Sequence, residues 1–341
     1  MTCRPLRSHG ELLNVTRFTR IALSLLVVGL LAGLSPAARA VADPPCQPTA
    51  QANVLECRVP TDGHAGEFSQ LDTRVNVIVP PGGAEGKPVV YLLHGVGDTY
   101  ETWVANTDIE TFVIDPVIDA VIVMPDGGKN STSGWYSDWL DGSRDDETYH
   151  HDVLIPWVEA TFDTATGYGH RAVMGLSMGG FGALSYAARH PDTFGAAAAF
   201  SGLLDTQMGG PAQGYAFDEL RPYFGTPDER VWGDPLLDRD VWSAHNPTAL
   251  ARAGKYRHLD GNLWLTTGTG TPSGPAGDDP NNPAAYAVEH FIWQTNQSFA
   301  AALATSGTRY HDLSYLGGYH GWPYWQRALH LVLPHVVTAI T

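Results

Sequence analysis

The chain has 341 residues, 43% hydrophobic and 16% charged, which is enough apolar material to close a large core and too much for a disordered or collagen-like chain. Lys and Arg number 20 against 36 Asp and Glu, a net charge of −16 at pH 7. That sign opposes phosphate backbones and anionic bilayers, so no nucleic-acid partner is expected.

The first 40 residues differ from the rest. Arg17 and Arg20 precede an apolar run from Ile21 to Leu34, then Pro36 and the small-residue site Ala38-Arg39-Ala40. This is the pattern of a signal peptide over residues 1–40; the run, about 14 residues, is short of the roughly 20 that a spanning helix needs. Cleavage after Ala40 would remove five Arg and one Glu, leaving 15 basic and 35 acidic residues. The product is expected to be secreted, extracellular or in the cell envelope, with no stable membrane insertion. Cys3 leaves with the signal, so Cys46 and Cys57 are expected to form one disulfide in an oxidising compartment.

From about Arg74 on, short apolar runs alternate with longer amphipathic ones. Strands are predicted at Val75–Val79, Val89–Leu93, Val121–Met124, Arg171–Met174, Ala196–Phe200, Leu263–Thr267 and Leu313–Leu316. Helical spacing marks Thr148–Phe162 and Gly179–His190. The alternation predicts an α/β fold, with a mostly parallel central sheet and helices on both faces, over residues 41–341 as a single domain. Residues 203–261 are longer than an ordinary crossover and are expected to form a lid-like insertion. The Gly/Pro/Asp-rich loop Gly268–Pro283 follows a strand, which puts it at the carboxyl edge of the sheet, where open α/β folds build their sites.

The strongest motif is Gly175-Leu176-Ser177-Met178-Gly179, with a predicted strand before it and a small-residue helix after. G-x-S-x-G in that context is a nucleophile elbow, and Ser177 is the expected nucleophile. A serine hydroxyl needs a base, and His320 is the candidate, lying between the last predicted strand and a terminal helix opened by Pro323. An acid must orient the imidazole. Asp278 is favoured, its neighbour Asp279 is not separable from it, and Glu289 on the following helix is a fallback. Negative charge on the attacked carbonyl needs donors: the Met178 N–H, and Val96 from the loop His94-Gly95-Val96-Gly97.

Several stretches in order then resemble the esterase family of α/β-hydrolases that contains the antigen 85 mycolyltransferases. They are Tyr91-Leu92-Leu93-x-Gly95, Trp135-Tyr136-Ser137-Asp138-Trp139, Gly175-Leu176-Ser177-Met178, Ser201-Gly202-Leu203-Leu204-Asp205, Gly268-Thr269-Gly270-Thr271-Pro272 and His320-x-Trp322-x-Tyr324-Trp325. The resemblance covers about Val75 to Val332. It implies an α/β-hydrolase fold, Ser177 as nucleophile, His320 as base, Met178 and Val96 as oxyanion donors, and Trp322 beside an acceptor site. Mycolyltransferases carry an acid at the position of His94 and an Arg at that of Gly97, which help them hold trehalose; this chain has neither.

Trp103 and Trp322 lie close in sequence to the proposed site loops and are expected to line an acyl or acceptor cleft. The loop glycines Gly268, Gly270 and Gly274 do not have dinucleotide spacing, and Gly128-Lys129 lacks the rest of a phosphate loop, so no cofactor is expected. His150-His151 and the acidic stretch Asp138, Asp141, Asp145 and Asp146 match no metal motif and read as a solvated loop. The expected function is a secreted serine esterase that cleaves small-molecule or lipid esters through an acyl-serine. The alternatives are an acyltransferase using a carbohydrate or lipid alcohol as acceptor, and a non-catalytic wall-binding protein on the same fold.

Overall fold

Apolar runs bounded by turn residues become strands buried on both faces. A computed structural model describes residues 45–341 except 52, 62–67, 69–71, 116–117, 130–131 and 210–227. The proposed signal peptide therefore lies outside the described residues. The strands are β1 (Cys46–Pro48), β2 (Val54–Arg58), β3 (Arg74–Ile78), β4 (Val89–Leu93), β5 (Val121–Pro125), β6 (Gly128–Lys129), β7 (Thr132–Ser133), β8 (Arg171–Leu176), β9 (Ala196–Phe200), β10 (Leu263–Thr266) and β11 (His311–Asp312). Nine of them form one sheet in the order β1-β2-β3-β5-β4-β8-β9-β10-β11; β6 and β7 pair separately. The sheet is parallel from β5 through β11 and antiparallel from β1 to β5. Cys46 pairs with Cys57 across the β1–β2 ladder, and a disulfide joins them.

Alternation along the strands builds two cores. In β4, Val89, Tyr91 and Leu93 face one cluster with Leu154, Phe181 and Phe299. Val90 and Leu92 face the other, with Trp103, Leu329 and Val332. The first is covered by the helices Ile155–Phe162, Met178–Arg189 and Pro283–Ser306, the second by the helices Thr102–Asn106 and Trp322–Ala339. The mostly parallel sheet flanked by helices is the α/β architecture that the alternation predicts, and it agrees with the α/β-hydrolase fold that the resemblance implies. Register puts Leu93 beside Gly175 and Leu176 beside Phe200, so the loops after β4, β8, β9 and β10 open on one carboxyl edge.

Three expectations need correction. The last strand is His311–Asp312 rather than Leu313–Leu316; beyond it the Leu313 and Tyr315 N–H groups still donate to Leu265 and Thr267, while Leu316 is exposed. The Thr148–Phe162 helix contains a π-helical stretch at Tyr149–Leu154 that buries His150. The acidic stretch before it is not simply a solvated loop. Asp146 is buried in an ion pair with Arg144, and Asp138 accepts from both the N–H and hydroxyl of Thr148.

Within residues 203–261, where a lid-like insertion is expected, the described helices Asp228–Trp232, Arg239–His245 and Pro247–Arg252 are anchored by Trp232 and Trp242, both buried. Residues 210–227 of the insertion lie outside the described residues. No described helix is long and apolar enough to cross a membrane.

Candidate active site

Ser177 links β8 to the helix Met178–Arg189 with φ 52° and ψ −116°, a backbone conformation that costs a non-glycine residue about 1–3 kcal/mol. Its neighbours hold it there. The Ser177 N–H donates to the Phe200 carbonyl (2.9 Å), and its own carbonyl accepts from Phe181 N–H (3.1 Å). The flanking glycines are required by close approach: a Cβ on Gly179 would lie 2.5 Å from the Leu93 carbonyl oxygen, and one on Gly175 2.6 Å from the backbone of Gly179.

His320 follows Gly317 and Gly318, both at positive φ, and its N–H donates to the Ala285 carbonyl (3.1 Å). The imidazole stands edge-on to Trp325, with centroids 5.0 Å apart. Its Nε2 is 2.9 Å from Ser177 Oγ and its Nδ1 is 2.8 Å from Glu289 Oε2. A carboxylate oxygen accepts, so Nδ1 donates to it and Nε2 is left free to accept the serine hydroxyl.

The acid at the imidazole is therefore Glu289, not Asp278. Asp278 is exposed and closes its own loop, accepting from Ser273 N–H (2.8 Å) and Tyr286 Oη–H (3.2 Å). Asp279 accepts from Asn281 N–H in the same loop. Glu289 is fully buried, and its other oxygen, Oε1, accepts from Ser201 Oγ and Gly268 N–H, each at 2.7 Å. A sequence signal for it existed. On the helix Pro283–Ser306 the buried stripe runs Ala285, Glu289, Ile292, Asn296, Phe299, Leu303, and an acid on a buried stripe must have donors around it.

The loop after β4 lies against Ser177: a Cβ on Gly95 would come within 3.6 Å of Ser177 Cβ. Among the described residues, neither the Val96 N–H, in an irregular loop, nor the Met178 N–H, at a helix start, has a protein acceptor. Asp98 accepts from Gly95 N–H (3.2 Å), and burial raises its carboxyl above the ordinary range, opposed by that N–H.

Trp103 does not line a cleft. It is fully buried, with its indole N–H donating to the Leu93 carbonyl (3.2 Å), because the short helix Thr102–Asn106 turns it under the sheet edge. Trp322 is half-buried and packs perpendicular to both Trp103 and Trp325, which in turn touches His320.

A second polar layer sits below. His150 Nε2 donates to the Asp126 carbonyl (3.0 Å), leaving its Nδ1 to accept from Tyr186 Oη–H (2.8 Å), and burial pushes this ring down to about 4. Burial also lifts the Asp126 carboxyl to about 7, opposed by N–H groups of Gly128 and Tyr100.

Residues 68–336 match the profile of the family described as "Putative esterase". The chain belongs to the Esterase family. Esterase Rv1288 of Mycobacterium tuberculosis is 32% identical over 257 residues, which is 72% of this chain and 52% of that protein, so the chain spans about half the length of that relative. The diacylglycerol acyltransferase/mycolyltransferase Ag85B of Mycobacterium leprae is 32% identical over 268 residues, covering 74% of this chain and 76% of the relative. Among solved structures, Mycobacterium tuberculosis MPT51 superposes with a TM-score of 0.65 at 23% identity, over 86% of this chain and all of that one, a likeness of fold. The Esterase family agrees with the resemblance drawn from the motifs, including its mycolyltransferase branch.

Proposed function

We propose that this chain is an exported serine esterase that hydrolyses carboxylic esters through an acyl-serine intermediate. The reading is carried by the unbroken chain of hydrogen bonds from Ser177 Oγ through His320 to Glu289. Ser177 Oγ attacks the ester carbonyl carbon while its proton passes to His320 Nε2; the same proton then goes to the departing alcohol oxygen. Water, deprotonated by His320, attacks the acyl-serine, and the carboxylic acid leaves as Ser177 regains its proton. The N–H groups of Val96 and Met178 receive the oxyanion at both stages. Glu289 steadies the imidazolium.

Transfer to a carbohydrate or lipid alcohol instead of water is the second reading, favoured by the likeness to Ag85B. Against a trehalose-type acceptor stand His94, which is buried and turned inward, and Gly97, which offers no side chain. Export to the cell exterior or envelope rests on the signal-peptide pattern of residues 1–40.

The test measures hydrolysis of short and long acyl p-nitrophenyl esters by the chain from residue 41 and by Ser177→Ala. The expected result is turnover by the former and a loss of at least about a thousandfold in the variant. Equal background rates with both would overturn the reading in favour of a binding protein. Adding trehalose during turnover separates the acceptors: acyl-trehalose formed in preference to free acid would make the chain a transferase.

A further inference from the structure

The mechanism above uses Val96 N–H as a donor, and something must aim it. The residue in position to do so is His94, which is buried and which the mechanism does not otherwise employ. Its Nε2 lies 2.7 Å from the Gly127 N–H and its Nδ1 lies 2.8 Å from the Gly95 carbonyl oxygen. A backbone N–H only donates, so Nε2 is the acceptor and Nδ1 carries the proton that goes to Gly95. Both nitrogens are satisfied in this one neutral tautomer. Protonating the ring would set two donors face to face at Gly127.

The consequence follows from the planarity of the peptide bond. The Gly95 carbonyl and the Val96 N–H belong to the same trans peptide and point in opposite directions. Fixing the carbonyl oxygen toward His94, with Asp98 N–H as a second and longer donor at 3.3 Å, sends the Val96 N–H the other way. On that side it meets no acceptor among the described residues, and the loop there borders Ser177. His94 is itself clamped: Tyr136 Oη–H donates to its carbonyl (3.1 Å), and Gly127 lies against the hydroxyl end of the Tyr136 ring, where a Cβ would come within 2.4 Å of Cζ.

We infer that His94 is a positioning residue: in its neutral Nδ1–H form it ties the turn after β4 to the turn after β5 and so aims the Val96 N–H at the oxyanion. This rests on the esterase reading. It also explains what replaces the acceptor-binding acid of mycolyltransferases at this position, since a ring with both nitrogens spent inward presents nothing to a sugar.

The experiment compares His94→Asn and His94→Gln with the parent chain. Asn keeps an N–H near the Nδ1 position and can still donate to Gly95; Gln offers a carbonyl near the Nε2 position and cannot. His94→Gln is expected to lower kcat on p-nitrophenyl acetate about 10- to 100-fold with KM within about twofold, since losing one oxyanion donor outright costs about 10²–10³. It should weaken inhibition by a trifluoromethyl ketone, whose serine adduct places an oxyanion in the same spot, by a similar factor. His94→Asn should recover most of both. Equal losses in the two variants, or unchanged ketone affinity in His94→Gln, would overturn the inference.

Should neither variant fold, ¹⁵N spectra of the parent chain still decide. A buried imidazole protonated at Nδ1 supports the assignment, and one protonated at Nε2 contradicts it. Loss of activity in Ser177→Ala alongside unaltered His94 variants would sink this inference and leave the esterase reading standing, whereas a fully active Ser177→Ala would remove both.

Discussion

At the scale of single residues, the acid is the point of sharpest choice. Glu289 Oε2 is the partner of His320, while Asp278 and Asp279 serve their own turn. Glu289→Gln is expected to keep the fold and lower kcat about 10⁴-fold, because an amide can present the wrong group to Nδ1 and spoil the tautomer that leaves Nε2 as acceptor. Asp278→Asn and Asp279→Asn should stay within about twofold; steady-state kinetics on one short ester checks all three.

Asp126 carries a pH signature. Its carboxyl, raised by burial to about 7 from an ordinary 3.8, binds a proton more tightly in the folded chain than in the unfolded one. Its contribution to stability therefore falls as pH rises from about 4 to about 7 and is flat above. Gly128 N–H donates to Asp126 Oδ1 (2.8 Å) and Tyr100 N–H to Oδ2 (3.4 Å), so Asp126→Asn keeps an oxygen for the shorter of the two bonds, loses the longer one, and abolishes that slope. The variant should gain more stability over the parent at pH 8 than at pH 5, as read by urea unfolding. An equal difference at both pH values would show that Asp126 titrates normally.

At the scale of elements, the described helices between β9 and β10 are held down by aromatic packing. Trp232, at 1% exposure, meets Trp135, Phe181 and Trp242 with ring centroids 5.1–5.8 Å apart, and its indole N–H donates to Ser137 Oγ at 3.2 Å. Trp232→Ala should cost about 3–5 kcal/mol in chemical unfolding, as for other buried aromatics cut to a methyl. A loss below about 1 kcal/mol would mean that these helices are only loosely attached. The same scale accounts for the burial of Trp103 against the expectation from sequence. Helical turns decide which side of a short segment faces the core, and five residues, Thr102–Asn106, are too few to reveal a periodicity. The helix Pro283–Ser306 is long enough, and its buried stripe does single out Glu289.

Across the whole molecule, the sheet separates stability at one edge from chemistry at its centre. β3, β5 and β4 stand between β2 and β8, the strand that leads into Ser177. Reducing the Cys46–Cys57 disulfide, which closes a separation of 11 residues, should destabilise the N-terminal hairpin by up to about 3 kcal/mol, yet leave short-ester hydrolysis nearly unchanged. Thermal unfolding and initial rates with and without dithiothreitol check this, and a parallel loss of activity would mean that the edge and the site are coupled. The parallel sheet, the sharp turn at Ser177 and the place of His320 were legible because they are written in short-range patterns: apolar runs, glycines at fixed offsets, a proline at a helix start. What only the tertiary structure decided were the acid at His320, the inward turn of His94 and the burial of Trp103. Ser177 and His320 are 143 residues apart, and Glu289 a further independent segment. Which side chain among several similar ones meets another across such separations depends on the packing of whole helices against the sheet, which no local pattern encodes.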